Sequence, residues 1–131
     1  MLLVFFDFIL VVELTMSKFV EGNSFMMPVE ENTINEIKNV VNEFVPGSEL
    51  IMFGSRARGE DIPSSDYDLL VIARDPLTDR QRLHFQAQIR KALAKKLILA
   101  DIIVQSRDDI RKKQRLPGHI VRAAMKEGVS V

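Results

Sequence analysis

Gly54-Ser55-Arg56-Ala57-Arg58-Gly59, followed by Ser65-Asp66-Tyr67-Asp68-Leu69-Leu70, is the stretch that decides the fold. Its first half closes the short apolar run 49–53, and its second half opens the apolar run 67–73. Both runs have strand length, and the second has the continuous apolar character of a buried strand. Side chains two apart on a strand share a face. Asp66 and Asp68 therefore point the same way where the loop enters the second strand. Two carboxylates so placed repel each other unless a cation lies between them. Gly54 lets the backbone approach a ligand closely. Ser55 opens a short turn or helix whose free N–H groups suit phosphate oxygens. Arg56 and Arg58 add cations beside that turn, and Arg forks onto phosphate better than Lys. Either arginine could equally be a solvated surface residue. No Gly-Lys-Ser/Thr follows, so this is no Walker loop, and the glycine spacing is not that of a dinucleotide fingerprint.

Asp101 repeats the pattern of a carboxylate in an apolar strand, standing between Leu99-Ala100 and Ile102-Ile103-Val104. Burying a lone carboxylate is costly. Two readings are open: Asp101 pairs with an arginine such as Arg90, or its strand neighbours that of Asp68 and three carboxylates meet. Three such hard oxygen donors suit Mg²⁺ or Mn²⁺. Two such ions would activate a nucleophile and steady a leaving pyrophosphate.

Outward from this centre the chain reads as alternating helices and strands. Ile34, Ile37, Val40, Val41 and Phe44 fall on one helical face. Thr33 and Glu36 form a capping-box pattern before them, and Pro46-Gly47 ends the helix. Residues 49–53 and 67–73 are strands, with Asp75-Pro76 turning the chain into a helix over about 79–96. Leu83, Ala87, Arg90, Leu93 and Leu97 mark one face of that helix. Residues 97–105 form a third strand. Ser106 caps a following helix with Asp109 in the box position. Pro117 at a first turn and Gly128 past the end bracket the last helix. The order predicts a single α/β (α+β) domain, a small mixed sheet flanked by helices, over 28–131. Tyr67, the only Tyr, faces away from Asp66 and Asp68 into the core. His84 and His119 are isolated, and no metal-ligand spacing links them.

Composition narrows the function. Eighteen Lys and Arg balance eighteen Asp and Glu, which argues against non-specific coating of long nucleic acid. Residues 32–131 carry 17 bases and 13 acids, a mildly basic balance that fits a small anionic ligand. The chain has no Cys, which excludes disulfide scaffolds, thiolate zinc and thiol catalysis and fits a reducing compartment such as the cytoplasm. Residues 2–14 are almost wholly apolar but too short for a membrane span. No basic residue precedes them, unlike a secretory signal. Residues 1–27 read as an apolar extension, either an extra packing element or the product of an upstream start codon. If exposed, such a segment would favour self-association.

The string GSRARGEDIPSSDYDLLV at 54–71, Asp101 in LADIIV and the closing RLPGHIVRAAMKEG resemble the minimal nucleotidyltransferase branch of the polymerase-beta-like superfamily. The likeness covers about residues 32–129. It implies transfer of a nucleoside monophosphate, AMP from ATP being the expected case, with a divalent metal and release of pyrophosphate. Carried onto this sequence, Asp66, Asp68 and Asp101 would bind Mg²⁺ or Mn²⁺, and Asp101 would also help deprotonate the acceptor. Gly54 and Ser55, with Arg56 and Arg58 beside them, would hold the nucleotide triphosphate. Members of this branch are often paired with a HEPN-type ribonuclease toxin, act as its antitoxin, and in some cases add AMP to it. The expectation is a cytoplasmic enzyme modifying a hydroxyl of such a partner. The competing expectations are a non-catalytic module that neutralises its partner by contact, and an enzyme acting on a small molecule such as an aminoglycoside.

Overall fold

Seven consecutive residues without a charged side chain beyond Asp68 make Tyr67–Ala73 the central strand of the domain, nearly every one of them buried. The structure is a computed structural model, and it describes residues 27–60 and 65–131. The chain divides into two units, Met1–Ile34 and Asn35–Val131. In the first, the described residues are the opening turns of α1, a helix spanning Met27–Phe44. The second continues through β1 (Glu49–Phe53), α2 (Gly54–Arg58), β2 (Tyr67–Ala73), α3 (Asp79–Lys95), β3 (Ala100–Ser106), α4 (Arg107–Lys113), α5 (Ile120–Glu127) and β4 (Val129–Ser130). The extension expected over 1–27 lies outside the described residues, apart from Met27.

The strands form one mixed sheet in the order β3-β2-β1-β4. β1 runs antiparallel to β2 and to β4, while β2 and β3 run parallel, joined through α3. The expected α/β class, a small mixed sheet between helices, is the fold observed. Strand alternation splits the core in two. Leu69, Val71, Ala100, Ile102 and Val104 face α1 and α3, where they pack with Ile37, Val40, Val41, Ile89 and Leu93. Leu70, Ile72 and Phe53 face the other way and pack with Ile110, Val121 and Ala124 of α4 and α5.

Several boundaries differ from the sequence reading. α1 does not start at the Thr33 box; Thr33 lies within a helix already running from Met27. α3 buries Ile89 and Leu93, with Phe85 and Ala92 packed beside them. It does not bury the Leu83, Ala87, Arg90 and Leu97 stripe, and Leu83 is 65% exposed. The last helix begins at Ile120, past Pro117, with the His119 Nδ1 accepting from the Val121 N–H at 3.1 Å. β4 was not foreseen. The Ser106–Asp109 capping box forms as expected.

Leu97 is where the third strand was expected to start. Instead it ends α3 in the left-handed region at φ 62°. The Ile98 N–H donates to the Leu93 carbonyl at 3.0 Å and the Leu97 N–H to the Ala94 carbonyl at 2.9 Å. This is the Schellman pairing, in which glycine normally takes the left-handed position. The apolar contact that accompanies it is present as buried Ile98 and Leu93. Leu97 itself is 92% exposed and packs almost nothing, so its side chain carries the strain of the left-handed backbone. Leu97→Gly is expected to raise the free energy of unfolding by about 1 kcal/mol, read as a higher urea midpoint at unchanged slope.

Beyond the C-terminal end of β3 a polar cluster ties three elements. Arg82 donates to Asp109 at 3.1 Å and to Gln105 at 3.2 Å and pairs with Asp79. Lys113 donates to Gln105 at 2.6 Å, and the Ser106 hydroxyl to Asp109 at 2.9 Å. On the same strand the Gln86 side chain accepts the Val104 N–H at 3.0 Å. Burial alone would raise the Asp109 carboxyl. The Ser106 hydroxyl and N–H, with the Arg82 and Lys113 charges, outweigh it and hold the group below its ordinary value. The folded state thus favours the ionised form, and its benefit is lost as pH falls through the depressed value. Asp109→Asn should cost about 1–2 kcal/mol at pH 7, and thermal melts should show that deficit shrinking below about pH 4.

Candidate active site

The end of the sheet at which β1 finishes and β2 and β3 begin gathers the residues singled out in the sequence. Phe53 stands opposite Asp68 across the antiparallel pair, and Asp68 opposite Asp101 across the parallel pair. Residues in register on neighbouring strands present their side chains on one face. Asp68 is half-buried, and Asp66 and Asp101 are exposed. Asp66 directly precedes β2.

The exposure of Asp101 corrects the expectation of a buried carboxylate. α3 covers the opposite face, the one carrying Ala100, Ile102 and Val104. Arg90, on α3, is exposed, and no ion pair joins it to Asp101 among the described residues.

Gly54 opens α2 at φ 74°. A Cβ at this position would fall on the Asp68 carboxylate, closer than atoms can stand. Glycine is thus required twice, for the left-handed backbone and for the space. The N-cap residue of α2, Phe53, makes no side-chain cap, so the first N–H groups of the helix, from Gly54 and half-buried Ser55 onward, have no intrahelical acceptor and stay available as donors. Gly59 closes the helix in the left-handed region, and the Glu60 N–H donates back to the Ser55 carbonyl at 2.9 Å.

The two arginines have different partners. Arg56 donates through Nε and Nη2 to the Ser65 carbonyl at 3.0 and 2.8 Å. Its guanidinium also lies 4.0 Å from the centroid of the Tyr67 ring. Arg58 is exposed and pairs with Glu60 at 3.0 Å and Glu127 of α5 at 3.2 Å. These contacts were not foreseen. Tyr67 is buried in the core as expected.

Burial raises the Asp68 carboxyl above its ordinary value, and the like charges of Asp101 and Asp66 raise it further. Arg58 opposes them. This electrostatic coupling links all three carboxylates. Among the described residues, no three His, Cys, Asp or Glu side chains already stand as a group able to hold a metal ion.

Residues 34–131 match the nucleotidyltransferase domain family. The chain belongs to that family. It is a nucleotidyltransferase, and the acids and glycine turn described above lie within the matched region. Its fold is similar to that of a Sulfolobus solfataricus protein assigned to the nucleotidyltransferases, with a TM-score of 0.52 and 24% identity over 76% of each chain. Looser likeness extends to a toxin–antitoxin complex with AMP-PNP, at a TM-score of 0.49 and 20% identity over 73% of this chain and 69% of that one. It extends also to a Shewanella oneidensis complex of tri-AMPylated HEPN toxin with MNT antitoxin. There the TM-score is 0.47 and the identity 17%, over 76% of this chain and 69% of the other. No curated protein sequence is significantly similar. No described helix of this nucleotidyltransferase is long and apolar enough to cross a membrane.

The double demand on Gly54 is testable. Gly54→Ala should lower stability by about 2 kcal/mol or more, from left-handed strain and the displaced Asp68 carboxylate, measured by chemical denaturation.

Proposed function

We propose that this nucleotidyltransferase moves AMP from ATP to a hydroxyl of a protein partner, and that the partner is a HEPN-type toxin it restrains. The observation that carries the reading is the register of Asp68 with Asp101, beside a glycine turn whose N-cap residue makes no side-chain cap. The likeness of residues 54–71, 99–104 and 115–128 to the minimal nucleotidyltransferase branch supports the choice of nucleotide and partner.

The donor set fits a hard dication: like charge from Asp101 and Asp66 bears on Asp68, and among the described residues Arg58 is the cation that opposes it there. Asp66, Asp68 and Asp101 would hold Mg²⁺ or Mn²⁺, which supplies neutralisation of the triphosphate and lowers the acceptor hydroxyl's hold on its proton. Gly54 and Ser55 would hold the triphosphate oxygens through the N–H groups opening α2. Asp101, exposed at the mouth, takes the acceptor's proton. The acceptor oxygen bonds to the α-phosphorus as the bond to the bridging oxygen breaks and pyrophosphate leaves. Gly54 keeps the backbone against the Asp68 carboxylate, so nucleotide and acid meet without an intervening side chain.

The test uses α-labelled ATP, Mg²⁺ and the product of the reading frame beside this gene, where that frame encodes a small helical protein with an Arg-x-x-x-x-His motif. Label should pass to the partner, and Asp66→Asn or Asp68→Asn should each cut the rate by about a thousandfold. Absence of transfer, with an Asp68→Ala chain still protecting cells, would leave contact neutralisation as the function. Asp68→Asn also removes a charge that the fold disfavours. Without divalent metal at pH 7 it should melt about 2–4 °C above wild type. The gain should disappear at pH values below the ordinary carboxylate range, where Asp68 is protonated folded or unfolded.

A further inference from the structure

Arg56 contacts the residues on both sides of Asp66, the carbonyl of one and the ring of the other. On one side its Nε and Nη2 meet the Ser65 carbonyl at 3.0 and 2.8 Å. That oxygen belongs to the peptide unit whose nitrogen is Asp66's own. On the other side the guanidinium covers the Tyr67 ring at 4.0 Å from its centroid, a cation–π distance. Ser65 and Tyr67 flank Asp66, and Tyr67 is anchored in turn by its N–H on the Leu99 carbonyl at 3.0 Å and by burial in the core. Arg56 itself sits on α2, two residues after Gly54. One planar, permanently charged group thus connects the helix that opens with Gly54-Ser55 to the peptide unit that carries Asp66.

Arg56 is not among the charges that shift Asp68. The cation that lowers Asp68 is Arg58. Fork geometry on a single carbonyl, with a flat face laid on an aromatic ring, is something a guanidinium provides and an ammonium does not.

We propose that Arg56 is a positioning residue, not a phosphate ligand: it sets the distance between the phosphate-holding turn and Asp66. The proposal rests on the transfer reaction above for its kinetic consequence, but its structural half stands without it. A misplacement of about 1 Å in a reacting constellation costs on the order of a hundredfold in rate, while the N–H groups that open α2 are untouched by loss of the Arg56 side chain.

Two measurements test it on the full chain. The first is hydrogen exchange of the apo protein, followed by mass spectrometry in peptides covering residues 65–70. Arg56→Lys and Arg56→Gln should each speed exchange there by about tenfold or more and leave β3 peptides unchanged. The second is steady-state transfer with Mg-ATP. Both variants should lose about 10–100-fold in kcat with KM for ATP within about twofold of wild type, and Lys should not rescue. Unchanged exchange at 65–70 would overturn the proposal. A KM for ATP raised about tenfold or more in Arg56→Gln and restored in Arg56→Lys would do the same, and would make Arg56 a phosphate ligand. Arg56→Lys keeps the charge and stem, so it guards against a Gln variant that fails to fold. A wild-type chain that transfers nothing would end the functional reading alone, since the exchange result still decides the clasp.

Discussion

The site depends on the register between β2 and β3. Parallel strands cannot be joined by a tight turn, so Asp68 and Asp101 meet only because α3 carries the chain back to start a second strand beside the first. The acids do not enforce that alignment, since like charges oppose it. It is enforced by the side chains between them and the far end of the strands. Leu69 and Val71 must share a face with Ile102 and Val104 to meet Ile89 and Leu93 of α3. A slip of one residue would take the apolar groups of β3 away from α3 and rotate Asp101 under the helix. The greasy half of each strand thus aims the charged half.

What could be read from the sequence follows from which signals are local. β1 and β2 were legible to the residue, because an apolar run ends where glycine or aspartate begins. The Ser106–Asp109 cap was legible because both partners lie within one turn. The Thr33–Glu36 pattern has the same local form, yet the helix runs through it. α3 offers two apolar stripes, and only the sheet decides that Phe85, Ile89, Ala92 and Leu93 face inward while Leu83 does not. Leu97 read as strand because nothing in its side chain announces a left-handed backbone.

The candidate site divides along the same line. Gly54, Ser55, Asp66, Asp68 and Asp101 stood out by spacing and by their contrast with apolar neighbours. The roles given them as ligands of metal and nucleotide remain proposals. The actual contacts of Arg56 were illegible for a simple reason: its partner is a main-chain oxygen, and every residue has one. Arg58 was similarly hidden, since its link to Glu127 spans most of the domain's sequence. The two ends of β3 also contrast. At its C-terminal end the charges of Arg82, Asp109 and Lys113 are matched by one another. At its N-terminal end Asp68 and Asp101 stand in register, and their like charges raise the Asp68 carboxyl.

Gln86 has a consequence beyond its own hydrogen bond. β3 is the outermost strand on its side of the described sheet, and an outermost strand is a template on which a foreign strand can grow. The Gln86 amide oxygen occupies the Val104 N–H, and the Asp109 carboxylate occupies that of Ser106. An incoming chain would find those donors already engaged. The C-terminal half of this border is thereby occupied by side chains from α3 and α4.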